Sequence, residues 1–142
     1  MRILLVEDID ADAILLREAL RDAGLAKELI IAADGEQALE VLRREGPLPQ
    51  LVLLDLNLPR VSGHRLLEDI RADSRLESLP IVVLSTSNSP ADVAFAYQHN
   101  ANAYVRKPNG YEALSAVARA IRDFWTRTAT LPAAYVNRAA SA

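Results

Sequence analysis

An α/β fold, doubly wound from five βα units around a parallel sheet of strand order 2-1-3-4-5, is predicted by two features of this 142-residue chain. Apolar runs of strand length recur at Ile3 to Val6, Leu29 to Ala32, Leu51 to Leu54, Ile81 to Leu84 and around Tyr104 to Val105. They are nearly continuous rather than alternating, which suits strands covered on both faces. Between them lie segments with helical period, so each strand is followed by a helix and the crossovers must be right-handed.

The helices are marked in turn by Ala13, Leu16 and Leu20; by Ala38, Leu39 and Leu42; by Leu66, Leu67 and Ile70; by Val93, Ala94 and Tyr97; and by Leu114, Val117, Ala118, Ile121 and Trp125. Gly24 ends the first, and Gly46 with Pro47 and Pro49 ends the second. Ser89 before Pro90 opens the fourth, and Asp34-Gly35 turns the second strand into its helix. Asn100 is a candidate for the left-handed region between the fourth helix and the last strand. Five strands favour the flavodoxin-like order, in which the first and third are neighbours at the switch point. Residues 1–126 form the predicted domain, and 127–142 are a tail too short to fold alone.

Composition narrows the function. A net charge of −3 with scattered arginine offers no phosphate-neutralising stripe for nucleic acid. The absence of cysteine excludes disulfides and thiolate chemistry, and His64 and His99 are too few for a zinc centre. The opening MRILLVEDIDAD is too short in its apolar run and too acidic for a signal peptide or membrane span, so a cytoplasmic protein with no membrane partner is expected.

The chemistry lies at the strand ends. Glu7 and Asp8 follow the first strand, Asp55 the third, Ser85 ends the fourth, and Lys107-Pro108 follows the fifth. In the predicted order these meet on one edge, where open α/β sheets bind ligands. Clustered carboxylates repel one another, and a hard dication such as Mg²⁺ resolves the conflict with oxygen ligands. Asp55 ends the buried run LVLLD and is the candidate nucleophile, its carboxylate attacking phosphorus to give an acyl phosphate. Lys107 and Ser85 would stabilise the phosphoryl oxygens. Pro108 makes a cis peptide affordable, which would aim the lysine into the site. Singly, such residues are helix caps or surface charges; their coincidence on one edge favours function. His64 and His99 are assigned to the surface or to packing, away from that edge.

The ordered pieces LLVED, LLDLNLPRVSG, VVLSTS and AYVRKP resemble a response regulator receiver domain, the phosphoacceptor half of two-component signalling, from Arg2 to about Thr126. The resemblance implies that Asp55 is phosphorylated and that Asp8 and Asp55 ligate Mg²⁺ directly. It also implies that Glu7 acts through metal-bound water, that Asn57 gives its backbone carbonyl, and that Ser85 and Lys107 bind the phosphoryl group. Tyr104 stands where receivers carry an aromatic switch that turns inward as the Ser85 hydroxyl moves toward phosphate. Glu-Asp replaces the commoner Asp-Asp, Ser85 the more frequent Thr, and Leu58 stands where Met is common.

The ending DFWTRTATLPAAY resembles that of small single-domain response regulators that partner phytochrome histidine kinases in cyanobacteria and other bacteria. This implies a bacteriophytochrome-type sensor histidine kinase as phosphodonor, a homodimer built with the last two helices, the last strand and the tail, and output through an unidentified downstream protein. Phe124, Trp125, Leu131, Pro132 and Tyr135 crowd apolar area into that terminus and are the dimer candidates. Such a protein catalyses only its own phosphorylation and dephosphorylation. A phosphate shuttle to a histidine phosphotransfer domain is equally compatible. A Mg²⁺ phosphatase with an Asp nucleophile would want an acid where Asn57 stands. A flavin binder would not carry the acidic loop EDIDAD against a phosphate.

Overall fold

The structure, a computed structural model, describes residues 1–8, 11–25 and 27–132. The strands are β1 (Arg2–Val6), β2 (Glu28–Ala32), β3 (Leu51–Leu54), β4 (Ile81–Ser85) and β5 (Ala103–Arg106). The helices are α1 (Ala11–Asp22), α2 (Gly35–Arg43), α3 (Gly63–Ala72), α4 (Pro90–Gln98) and α5 (Tyr111–Asp123). All strand pairs are parallel, in the order β2-β1-β3-β4-β5, as the sequence predicts.

Alternate side chains of the central strands feed two cores, the consequence of period-two geometry in a sheet covered on both sides. Leu4, Val6, Val52, Leu54, Ile81 and Val83 pack toward Ala38, Leu42, Leu66, Leu67, Ile70 and Ala96 of α2, α3 and α4. Ile3, Leu5, Leu51, Leu53, Val82 and Leu84 pack toward Leu16, Leu20, Leu114, Ala118 and Ile121 of α1 and α5. Two-sided cover fails at the edge strand β2, where Ile30 and Ile31 are each 37% exposed.

Punctuation follows chain chemistry. Asp34 caps α2 by accepting a hydrogen bond from the Gln37 amide, and Ser62 caps α3 by accepting from that of Arg65. Gly24, Gly46 and Asn100 take positive φ as their positions require, and Arg60, at φ 61°, joins them without a sequence signal. Two expectations about helices are corrected. In α4 the buried residue is Ala96, while Ala94 and Tyr97 face solvent; apolar residues on every side of this helix erase the period that would mark its inner face. The fifth helix does not run unbroken through Trp125, because Phe124–Thr128 form a π-helical turn. There the Ala129 amide donates to the Phe124 carbonyl at 2.6 Å, and the Thr126 hydroxyl donates to the Arg122 carbonyl at 2.5 Å, competing with the α-helical ladder. Among the described residues no helix is long and apolar enough to cross a membrane.

Candidate functional site

Strand register sets the level at which each chain leaves the sheet. Val6 pairs with Leu54, Leu54 with Val83, and Ser85 with Arg106. One residue beyond β1 and β3 the ladder continues: the Glu7 amide donates to the Ala32 carbonyl at 3.0 Å and the Asp55 amide to the Val6 carbonyl at 3.1 Å. Beyond β5, the Lys107 amide donates to the Ser85 carbonyl at 2.7 Å. Glu7, Asp55, Ser85 and Lys107 are thereby fixed along one edge, and they are buried, as charged side chains rarely are without partners.

Lys107 is the centre of the arrangement. Its Nζ donates to Glu7 Oε1 at 2.7 Å and to Asp55 Oδ2 at 3.4 Å. Burial pulls the Lys107 ammonium toward its neutral form, but the Glu7 hydrogen bond and the charges of Glu7 and Asp55 outweigh it, leaving the group above its ordinary range. Burial pushes the Glu7 carboxyl up to about 7, against the lowering effect of the Lys107 hydrogen bond. The Lys107–Pro108 peptide is trans, as are all described peptide bonds, which corrects the expected cis geometry. The reason is local: the backbone bond to Ser85 already carries β5 to the edge with the ammonium facing both acids, so the less favourable isomer offers nothing.

The Glu7 and Asp55 carboxylates converge on the Lys107 ammonium. Among the described residues no group of three His, Asp or Glu side chains is close enough to hold a metal ion; Glu7 and Asp55 are bonded to the ammonium, and Asp8 is of intermediate exposure. The donor chemistry nevertheless fits a hard dication. Glu7 Oε2 is buried with no hydrogen-bond partner among the described residues, and such an orphaned carboxylate oxygen is satisfied well by an oxygen-seeking cation.

Asp55 is held from both sides. Its Oδ1 accepts from the Asn57 amide at 3.0 Å, an Asx-type turn that directs the carboxylate back over the strand end. Gly63 opens α3 against the same point: a Cβ there would stand 2.2 Å from the Asp55 carbonyl oxygen and 2.5 Å from Leu56 Cα. Only glycine lets α3 approach so closely, a need that arises from tertiary contact and leaves no mark in the sequence.

Ser85 is wholly buried, and its Oγ accepts from the Ser87 amide at 3.2 Å. Tyr104 is half-buried, packs against the core beneath α2 to α4, and donates its hydroxyl to the Ser87 carbonyl at 2.7 Å. The ring therefore rests against the domain's own core. His64 lies off the edge, bonded through Nε2 to Asp92 Oδ1 at 3.0 Å, while His99 stacks on Phe95 with centroids 4.0 Å apart. Ser87 and Asp92 carry no distinctive signal in the sequence. Their signal, a Ser-x-Ser at a strand end with an acid in the first turn of the next helix, is too common to stand alone.

Of the dimer candidates, Phe124 is 50% exposed, whereas Trp125 packs partly on its own domain's core. Leu131 and Pro132 are of intermediate exposure, and Tyr135 lies outside the described residues.

At the ends of the parallel strands a buried lysine is thus joined to two acids, beside a buried hydroxyl. The chain belongs to the response regulator receiver domain family, whose model matches residues 3–119. It is 41% identical over 137 residues to the response regulator Rcp1 of Synechocystis, covering 93% of each chain. Among solved structures it resembles the phosphorylated cyanobacterial phytochrome response regulator RcpA, with a TM-score of 0.85 and 39% identity over 93% of this chain and 98% of that one. It also resembles the Mn²⁺-bound form of Rcp1, with a TM-score of 0.82 and 40% identity over 92% and 98% of the two chains.

Proposed function

We propose that this protein is a phosphoacceptor switch whose Asp55 takes a phosphoryl group from a sensor histidine kinase in the cytoplasm. The observation that carries the reading is the buried ammonium of Lys107 between Glu7 and Asp55. An Asp55 carboxylate oxygen forms the new P–O bond while the bond from phosphorus to the donor nitrogen breaks, its electron pair leaving with the donor imidazole. Lys107 neutralises charge on the phosphoryl oxygens, and the Ser85 hydroxyl donates to another of them. Glu7, Asp8, Asp55 and the Asn57 carbonyl would hold Mg²⁺, which when bound supplies charge neutralisation for the transferring group.

The extended likeness to Rcp1 and RcpA supports a phytochrome kinase as the donor. Exposed Tyr97 on α4 and Phe124 after α5 support a homodimer or downstream partner on the α4-β5-α5 face, with residues 127–142 contributing. The test is incubation with acetyl phosphate and Mg²⁺, followed by intact mass. A phosphate adduct in wild type that is absent in Asp55→Asn is expected; an undiminished adduct in that variant overturns the site, and elution volume before and after phosphorylation reads the oligomeric state.

A further inference from the structure

Ser87 is bound through every polar group it has. Its amide donates to Ser85 Oγ at 3.2 Å, and its carbonyl accepts the Tyr104 hydroxyl at 2.7 Å. Its own hydroxyl donates to Asp92 Oδ2 at 2.6 Å and accepts from the Ser89 amide at 3.2 Å. Asp92 in turn receives His64 Nε2 at 3.0 Å on its other oxygen. The carboxylate of Asp92 is therefore the fixed point between α3, α4 and the loop that carries Ser87.

An acid in the first turn of a helix ordinarily serves the helix, by favourable interaction with the dipole or by reaching back to the cap amide. Asp92 does neither job alone. The Ser89 side chain makes no cap bond, and the Ser89 amide goes to Ser87 Oγ rather than to Asp92. Both Asp92 oxygens instead take side chains from other segments, and these hold its carboxyl below the usual carboxylate range, Ser87 first and His64 second. His64 is itself steadied by an edge contact with Phe95 of α4, centroids 4.8 Å apart.

We infer that Asp92, braced by His64, is a positioning residue for phosphoryl acceptance at Asp55: by anchoring Ser87 it places the Ser85 hydroxyl for the incoming group and keeps Tyr104 packed inward. The inference rests on the function proposed above and adds a part to it. Ser87 couples the two ends, since its amide and carbonyl belong to one short loop and cannot move independently.

The test follows acetyl phosphate phosphorylation in Mg²⁺ for wild type, Asp92→Ala, Asp92→Asn and Ser87→Ala, together with the fluorine resonance of Tyr104 in fluorotyrosine-labelled protein, assigned with Tyr104→Phe. Loss of one charge-assisted anchor should slow Asp92→Ala and Ser87→Ala by about tenfold and shift the Tyr104 resonance. Asp92→Asn keeps an oxygen for the Ser87 hydroxyl and should recover most of both signals, which a merely structural role would not predict. Wild-type rates in the two alanine variants, an unmoved Tyr104 resonance, or Asp92→Asn as slow as Asp92→Ala each overturns the inference. Should Asp92→Ala not fold, Ser87→Ala decides it. A wild-type protein that takes no phosphate refutes the proposed function instead, and the Tyr104 resonance of Asp92→Ala then judges the anchor alone.

Discussion

Lys107 Nζ lies 2.7 Å from Glu7 Oε1 across a sequence separation of 100 residues, and both side chains are 3% exposed. Neither side chain could be buried in its charged form alone: an unpaired charge in such a place costs several kcal/mol. The pair is therefore a mutual condition of the fold as well as part of the site, and its removal should be felt in stability before chemistry is considered.

Replacing Lys107 with Met leaves Glu7 buried without its cation. At pH 8 the loss should be about 3 kcal/mol in urea denaturation, in the range for breaking a buried pair. Near pH 5 it should shrink, because Glu7 can then take a proton and sit neutral. A loss independent of pH would show that Glu7 does not respond to Lys107.

The elevated Glu7 group sets a pH dependence whose sign is definite. Its folded-state value of about 7 exceeds the ordinary 4.5, so the folded protein binds more protons than the unfolded chain between those values. The stability Glu7 contributes in metal-free protein is full below about pH 4.5 and is lost as pH rises through about 7, an effect on the order of 3 kcal/mol. Added Mg²⁺ favours the ionised carboxylate, so stabilisation by Mg²⁺ should grow over the same rise. Denaturation midpoints of wild type and Glu7→Gln, with and without Mg²⁺, test this, since the glutamine variant should lose the slope.

Gly63→Ala should be among the costliest small substitutions in the protein. Its Cβ would meet the Asp55 carbonyl oxygen at 2.2 Å, and the obstacle is backbone rather than a pliable side chain. A loss of about 3 kcal/mol or more is expected by urea denaturation, together with slower phosphorylation, because relief requires α3 to retreat from the strand end that presents Asp55. A variant as stable as wild type would mean that α3 starts differently in solution.

Arg71 offers a contrast at the opposite end of the sheet. Its guanidinium donates to the carbonyls of Glu77, Leu79 and Asn100, tying the loop before β4 to the one before β5. Arg71→Ala should cost about 2 kcal/mol of stability while leaving the phosphorylation rate unchanged, and Arg71→Lys should restore little, since an ammonium cannot serve three carbonyls in the fork geometry. Thermal unfolding beside an acetyl phosphate assay separates the two effects.

Much of this protein is legible in its sequence because the signals are local or periodic. Continuous apolar runs identify β1, β3 and β4, and their alternation with helices dictates a right-handed, parallel, doubly wound sheet. That topology alone carries Glu7, Asp55, Ser85 and Lys107 to one edge. What depends on distances between segments remote in sequence emerges only in three dimensions. The exposure of Ile30 and Ile31 follows from β2 being an edge, and the inner face of α4 cannot be read where every side is apolar. Among the described residues the lysine stands between the acids rather than beside a ready-made cluster of three, because its ammonium is their nearest counter-charge in a buried site. The roles of Gly63, Ser87 and Asp92 likewise arise from contact between α3, α4 and the strand ends. Sequence period specifies which face of an element is buried; only tertiary packing decides which polar atoms on that edge must satisfy one another.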